Sequence, residues 1–213
     1  IPQIAGAGLD SGVSAFERGD YPTAHQELRP LAENGDPKAQ YYIGLMSYSG
    51  KGAVQDNAEA IKWIKPAAEK GIADAQYLYA LLLEGAHAGP AGKAEGVKWF
   101  TLASDQGHVD AQMKLVDRYL RGDGIRQDLV QAYTWCGVAH IHVPSRCNPQ
   151  ESVPTYQMTP DAIDEAKRNV QQWVTKHPVN TSHPSFKNAQ QLLAEFDRAD
   201  FKRKEEIKAS LIR

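Results

Sequence analysis

Two cysteines and two histidines form the densest group of reactive side chains in this 213-residue sequence: Cys136, His140, His142 and Cys147. Four soft ligands within twelve residues could bind a metal, but the spacing C-x3-H-x-H-x4-C matches no common zinc module. An even number of cysteines favours a disulfide, which would pin the intervening loop over a helix and stabilise the fold by about 2–3 kcal/mol. We predict a Cys136–Cys147 bridge and no metal; an unbridged Cys136, buried as a small apolar residue, is the alternative.

No other part of the sequence matches the motif of a catalytic site. Residues 89–93 are similar to a phosphate-binding loop, but His87 stands where the first glycine is required and Ala94 where serine or threonine is required. Neither G-x-S-x-G nor H-E-x-x-H occurs. We therefore predict no enzyme activity, no catalytic residue, no cofactor and no small-molecule substrate.

Composition and charge exclude several other classes of protein. Apolar residues make up 42% of the sequence and charged residues 23%, which is typical of a folded globular protein. The 24 basic and 26 acidic side chains give a formal charge of −2, which argues against a nucleic-acid-binding protein. No apolar stretch approaches the ~18 residues of a membrane-spanning helix, so no membrane span is expected.

Three kinds of residue recur at one interval and show that the sequence is built from repeats. An Ala-Gln pair, a tryptophan and a glycine each return after 36 residues. The members of the three series are Ala39-Gln40, Ala75-Gln76 and Ala111-Gln112, then Trp63, Trp99 and Trp135, then Gly35, Gly71 and Gly107. Such agreement in phase indicates a structural repeat of 36 residues, and it predicts that the three tryptophans are buried at equivalent places.

Each period contains the pattern of two helices. In the second unit, apolar residues at helical spacing predict a first helix that ends at Gly50 and Gly52. Asp56 then caps a second helix, and Glu59 completes a capping box. Because a helix pair of this size cannot bury its apolar face alone, neighbouring pairs must stack. The predicted fold is all-α, a solenoid of about three and a half to four helix pairs over residues 10–142.

Beyond Trp135 the repeat pattern stops. Residues 143–158 are predicted to form an irregular loop. Thr159, Pro160 and Asp161 are typical of a helix start, and they predict a helix over 159–176 that caps the array. A further helical extension is expected over residues 184–213.

The repeat resembles that of the Sel1-like repeat family, an α/α solenoid family related to tetratricopeptide repeats. The family unit is similar to A-x-x-x-L-G-x-x-Y-x-x-G-x-G-V-x-x-D-x-x-x-A-x-x-W-x-x-x-A-A-x-x-G. The second unit supplies Ala39, Ile43, Gly44, Gly50, Gly52, Asp56, Ala60, Trp63, Ala67, Ala68 and Gly71. The third unit departs from this pattern in its middle loop, residues 84–92. The resemblance implies a right-handed α/α superhelix with a C-terminal helical cap, which binds other proteins and usually has no catalytic activity.

Positions that the repeat does not fix can bind a partner, and in such solenoids the first helix of each pair lines the concave side. On the first helices these variable positions grade from aromatic and apolar to basic, which matches the composition of binding hot spots. The irregular loop after Cys136 is a second candidate surface. The predicted contact residues are Tyr42, Leu78, Lys114, Arg118 and Arg121 on the helices, with Arg146 and Tyr156 in the loop.

The opening of the chain also resembles exported members of the family. Residues 14–21 are similar to the first unit of exported bacterial Sel1-like proteins, where this unit follows a cleaved signal peptide. The chain starts at Ile1 rather than Met, so we expect that any such peptide was removed or lies outside this sequence, and its absence does not indicate a compartment. A disulfide fits the same compartment, the periplasm.

The predicted function is non-enzymatic binding of one protein partner along the concave face, in the bacterial envelope. The resemblance allows an immunity protein that inhibits a secreted antibacterial effector. A periplasmic regulator, or a scaffold of an envelope signalling or assembly complex, is the alternative. A scaffold would have two separable binding faces.

Overall fold

The computed structural model describes residues 3–52, 54–86, 89–178, 184–185, 187–196 and 198. Across these residues the chain is helical and contains no β-strand. It divides into two compact units, Ile1–Ala111 and Gln112–Arg213. In the same part of the chain, no helix is both long enough and apolar enough to cross a bilayer.

The helices follow one another with short connections. The first unit contains α1 (Gln3–Glu17), α2 (Tyr21–Glu33), α3 (Pro37–Ser49), α4 (Asn57–Glu69), α5 (Ala73–Ala86) and α6 (Pro90–Asp105). Next come α7 (Val109–Arg121), α8 (Leu129–His142), the single turn α9 (Pro149–Ser152), a 3-10 turn (Thr155–Gln157) and α10 (Pro160–Lys176). Residues 187–196 are helical too, while residues 199–213 of the predicted extension lie outside the described residues.

The core has the periodicity of the sequence. In the first unit each helix packs against the next along the chain, from α1 to α6. One position of the second helix is fully buried in every repeat, and its occupants are Leu28, Ile64, Phe100 and Cys136. The tryptophans are less uniform than predicted, since Trp63 and Trp135 are buried whereas Trp99 is only half-buried.

The repeated Ala-Gln pair joins each helix pair to the one before it. The side-chain amide of Gln40 donates to the carbonyl of Ala32 over 3.2 Å, and that of Gln76 donates to Ala68 over 3.2 Å. These carbonyls belong to the last turns of α2 and α4, where each also accepts from the N–H of the glycine that follows the helix, Gly35 or Gly71, over 3.0 Å. At these two junctions a buried glutamine therefore supplies a second hydrogen bond to a carbonyl at the end of a helix.

The start of α4 shows how the second helix and its tryptophan are placed. The carboxylate of Asp56 accepts hydrogen bonds from the backbone N–H groups of Ala58 and Glu59, as the predicted cap requires. Glu59 does not complete a capping box; its carboxylate accepts from the indole N–H of Trp63 over 2.6 Å. A buried indole N–H needs such an acceptor, so Glu59 fixes the tryptophan rather than the helix end.

Close approach of the two helices in a pair depends on glycine, which gives a first prediction. A Cβ on Gly44 of α3 would lie 2.5 Å from Cγ1 of Ile64 and 3.2 Å from its backbone nitrogen. We expect Gly44→Ala to lower the free energy of unfolding by about 2 kcal/mol, because overpacking displaces the backbone. Gly85→Ala is the control, since nothing lies within 4 Å of its Cβ position, and helix propensity should make it neutral or slightly stabilising. Equal midpoints of urea unfolding for the two variants would contradict this account.

In the second unit, α8 is buried along almost its whole length. α10 packs against it, with Val170 so close to Gly137 that a Cβ there would lie 2.7 Å from the valine. The hydroxyl of Thr159 caps α10 by accepting from the N–H of Ala162 over 3.2 Å. The 187–196 helix covers the same core, with the ring of Phe196 centred 6.2 Å from that of Tyr133.

Candidate functional site

Four aromatic rings of the first unit form a continuous row, Tyr21–Phe16–Tyr42–Tyr41, which we call the aromatic row. Successive ring centroids are 5.6, 5.1 and 5.2 Å apart, and each pair meets edge to face. This geometry is favourable for aromatic pairs. All four side chains are half-buried, so one side of each ring packs on the core while the other reaches solvent.

The four rings lie near the ends of three successive helices. Phe16 lies in the last turn of α1 and Tyr21 begins α2, with only three residues between the two helices. Gly19 allows this short connection because its φ of +81° is one that other residues rarely adopt. Tyr41 and Tyr42 follow on α3, one turn after its cap Asp36.

One end of the aromatic row already holds a positive charge. The ammonium group of Lys51 lies 5.3 Å from the centroid of Phe16 and 5.7 Å from that of Tyr21. These are cation–π distances. Gly52 brings the loop this close, since a Cβ there would lie 2.7 Å from the Cβ of Tyr21.

The other end of the row is flanked by carboxylates. Burial raises the pKa of Tyr42, and the negative charges of Glu17 and Asp74 raise it further. Burial and the charge of Asp74 also raise the pKa of Tyr41. Both phenols therefore remain protonated hydrogen-bond donors well above neutral pH.

Asp74 is held beside the row by His108. The Nε2 atom of His108 lies 3.3 Å from the carboxylate, and this hydrogen bond lowers the pKa of Asp74. The Nδ1 atom of the same ring accepts from the N–H of Ala111 over 3.2 Å, so Nε2 is assigned as the donor to Asp74. The ring of Tyr77 stacks on the imidazole with centroids 4.5 Å apart.

Of the aromatic row, sequence analysis identified only Tyr42. Tyr41 and Tyr77 occupy the same position in successive repeats, 36 residues apart, and Leu45 and Tyr48 follow Tyr41 on one face of α3. All of these residues are half-buried. Following one helix face through the repeats would have found them.

Leu78 does not lie on the surface as predicted. It is only 5% exposed and belongs to the core between α4 and α5. The equivalent positions of the neighbouring repeats hold Tyr42 and Lys114, which are half-buried, so a variable position need not be exposed in every repeat.

The two arginines that were predicted to form the basic part of the contact surface, both on α7, make ion pairs with carboxylates of the same unit. Arg118 is only 9% exposed and pairs with Asp123. Arg121 is exposed, and its Nε lies 2.6 Å from the carboxylate of Asp117. Lys114 is half-buried on the same helix. The charges of the two arginines are thus offset by neighbouring carboxylates. Arg118 is too buried to lie on the predicted contact surface, whereas Lys114 and Arg121 stay predicted contact residues.

The predicted disulfide links the loop after α8 to that helix. Cys136 and Cys147 are bonded, with their Cα atoms 5.4 Å apart and both residues buried. Nδ1 of His140 lies 2.7 Å from the carbonyl oxygen of Cys147, so this histidine also fixes the loop. Among the described residues, no group of three or more histidine, cysteine, aspartate or glutamate side chains could hold a metal ion.

The same loop carries the two remaining predicted contact residues. Tyr156 is 85% exposed, which makes it one of the few large hydrophobic side chains left open to solvent. Arg146, directly before Cys147, is exposed as well. The structure therefore places both side chains where a partner could reach them.

Comparison with known proteins identifies the repeats. The family model described as Sel1 repeat matches residues 37–72, 73–108 and 109–137. No curated protein sequence matches the chain significantly.

Solved structures are similar over most of the chain. A Sel1 repeat protein from Oxalobacter formigenes has a TM-score of 0.61 at 24% identity, covering 92% of this chain and 83% of its own. The protein c5321, a protective antigen present in uropathogenic Escherichia coli strains displaying an SLR fold, has a TM-score of 0.53 at 20% identity. That match covers 91% of this chain but 48% of the antigen, so the present chain spans about half of its length. At such identities the similarity establishes the helix-pair fold.

Proposed function

Because the chain belongs to the Sel1 repeat family, with repeats over residues 37–137, we propose that it is a protein-binding module that holds one protein partner by its aromatic row. Sel1 repeat proteins generally mediate protein–protein interactions, and they are typically scaffolds without catalysis. We propose that this chain has no enzyme activity.

The observation that carries this proposal is the half-exposed state of the aromatic row. Tyrosine is enriched at binding hot spots because its ring offers a large rigid contact area and its hydroxyl still donates a hydrogen bond. Tyr41 and Tyr42 have both properties, since core contacts hold their rings and their hydroxyls stay protonated. The variable positions of α7 offer a weaker anchor, since Arg118 and Arg121 are already paired.

We place the protein in the periplasm. The bridge between Cys136 and Cys147 supports a compartment outside the cytoplasm, where disulfides persist. Two roles fit such a location: an immunity protein that inhibits a secreted antibacterial effector, or a regulator or scaffold of an envelope complex. An inhibitor of one toxin should bind at high affinity, whereas a regulator should bind more weakly and reversibly, so the dissociation constant separates the two roles.

The disulfide-linked loop is a second candidate surface within the same function. The specific observation in its favour is the exposure of Tyr156 and Arg146 beside a covalent constraint. A loop ordered in this way loses little conformational entropy on binding. If the chain is a scaffold, this loop and the aromatic row are its two separable faces.

Partner capture followed by substitution tests the proposal. The immobilised chain is used to capture proteins from a periplasmic extract of the native host, and the captured protein is identified by mass spectrometry. We expect Tyr42→Leu to weaken the binding of that protein at least about tenfold, because it removes the ring and hydroxyl while keeping an apolar group against the core. Affinities are measured by calorimetry.

Tyr156→Ala is the matched aromatic control for this experiment. It removes an exposed ring from the second unit, and we expect it to change the affinity less than about threefold. Thermal unfolding checks that each variant is folded. A strong loss with Tyr156→Ala and none with Tyr42→Leu would move the binding site to the loop.

A further inference from the structure

We propose that the partner presents a lysine or arginine side chain to the Tyr41–Tyr42 end of the aromatic row, with Glu17 and Asp74 as its counter-charges. This inference rests on the proposed function and specifies the chemistry of the partner at that site.

The first argument is that the row already binds an ammonium group at its other end. Lys51 lies over the rings of Phe16 and Tyr21 at cation–π distances. The ring of Tyr42 continues the same row, 5.1 Å from that of Phe16. A second cation over Tyr41 or Tyr42 would make the same kind of interaction that Lys51 makes over Phe16 and Tyr21.

The second argument is the negative charge at the Tyr41–Tyr42 end. Glu17 is exposed and makes no ion pair within the described part of the chain. The side chain of Asp74 is 62% exposed, so most of its carboxylate stays open to solvent although one oxygen contacts Nε2 of His108. Glu17 directly follows Phe16, whose ring lies 5.1 Å from that of Tyr42, and Asp74 directly precedes Ala75, which belongs to the core cluster that Tyr41 packs against. After burial, the charges of both carboxylates raise the pKa of Tyr42. The one basic residue of α3, Lys38, is exposed one turn before Tyr42.

The third argument is the charge balance of the whole first unit. Residues 1–111 carry 14 acidic and 9 basic side chains, a formal charge of −5, whereas residues 112–213 carry 12 acidic and 15 basic ones, a formal charge of +3. A net negative field attracts a basic partner and repels an acidic one at long range. The local site and the unit around it therefore select the same sign of charge.

Two synthetic peptides test this inference without knowledge of the natural partner. Acetyl-Leu-Arg-Leu-amide and acetyl-Leu-Glu-Leu-amide differ only in their central side chain. The full chain is labelled with 3-fluorotyrosine, and the fluorine resonances of Tyr41 and Tyr42 are assigned with Tyr41→Phe and Tyr42→Phe. We expect the arginine peptide to shift these resonances saturably in low salt and the glutamate peptide to leave them unchanged.

Charge neutralisation provides the matched comparison. Glu17→Gln with Asp74→Asn should weaken binding of the arginine peptide about fivefold to tenfold, and 0.5 M salt should weaken it similarly in the unchanged chain. Asp161→Asn with Glu165→Gln removes the same charge from the exposed side of α10 and should have less than about a twofold effect. The other tyrosine resonances show whether each variant is folded.

Several outcomes would overturn the inference. These are an absence of shifts with the arginine peptide, equal shifts with the glutamate peptide, or unchanged affinity after neutralisation of Glu17 and Asp74. If the captured partner loses affinity with Tyr42→Leu but not with the neutralised variant, the proposed function stands and this inference is wrong. If neither variant affects the partner, the aromatic row is not the binding site.

Discussion

Replacing Arg118 by glutamate is expected to lower the free energy of unfolding by about 3–4 kcal/mol. The arginine is 9% exposed and pairs with Asp123, whose side chain is one-third exposed. A glutamate would put a second carboxylate beside Asp123 in a partly desolvated place, and an unpaired buried charge typically costs ~3–5 kcal/mol. The expected cost lies at the lower end because Asp123 is partly open to water.

The repeat itself supplies the matched control for this substitution. Met46 and Leu82 occupy the equivalent positions 72 and 36 residues earlier, and both are buried. Arg118→Met therefore restores the side-chain type that this position holds in the other repeats. Because replacing both members of a buried ion pair by neutral groups is often neutral, whereas removing one leaves the other charge unpaired, we expect Arg118→Met together with Asp123→Asn to change stability by less than about 1 kcal/mol.

Arg121→Glu separates a surface charge from a buried one on the same helix. The side chain of Arg121 is 72% exposed, and its pair with Asp117 spans one helical turn. Such pairs contribute little, so the reversal should cost less than about 1 kcal/mol. Urea unfolding followed by circular dichroism measures all three variants. Equal stability of Arg118→Glu and Arg121→Glu would show that burial of Arg118 is unimportant.

Arg118 also shows why a variable repeat position is a weak guide to the surface. Sequence analysis placed Arg118 and Leu78 on a binding face because the repeat motif does not fix them. Position 118 is nevertheless a core position in the other repeats, and its charge is accommodated by Asp123 in the following loop. Comparing the occupants of one position across repeats is thus more informative than asking whether the motif conserves it.

The features that were predicted correctly depend on the period of 36 residues. The spacing of Leu28, Ile64, Phe100 and Cys136 identifies one buried position of the second helix, and all four are fully buried. Local chemistry was equally informative at Asp56 and Asp128, where each carboxylate accepts from backbone N–H groups at a helix start. Periodicity and capping act within one repeat, so a single sequence reveals them.

The 36-residue spacing did not reveal the aromatic row, because the row includes residues beside the connection between α1 and α2, where the first repeat is shorter than the others. Gly12 and Leu28 are 16 residues apart, whereas the equivalent Gly44 and Ile64 are 20 apart, because the connection between α1 and α2 is four residues shorter. Phe16 and Tyr21 flank that short connection and have no counterpart in phase. Their contact with Tyr42 depends on packing between successive helix pairs, which spacing alone does not specify.

Removing the disulfide is the second substitution with a large expected effect. We expect Cys136→Ala with Cys147→Ala to lower the free energy of unfolding of the second unit by about 3 kcal/mol, since the bridge closes a loop of roughly a dozen residues in the unfolded chain. Both cysteines are buried, so part of the loss comes from packing. Cys147→Ala alone is the control, because it breaks the bridge but keeps the Cys136 side chain in the core.

The state of the Cys136–Cys147 bridge can be used to test both the proposed compartment and the order of the second candidate surface, the loop over residues 143–158. Protein exported to the periplasm should have an intact mass two hydrogens lower than the fully reduced chain. Without the bridge, the loop that carries Tyr156 and Arg146 would keep the contact between His140 and the Cys147 carbonyl and the buried side chains of Pro149 and Val153. It would lose its covalent link to α8, so amide hydrogen exchange over residues 143–158 should accelerate. The aromatic row contains no part of this segment, so partner binding through Tyr42 should persist in the double variant. Two free thiols in exported protein would remove the main support for an extracytoplasmic location. Unchanged hydrogen exchange after reduction would show that the loop is ordered without a covalent link.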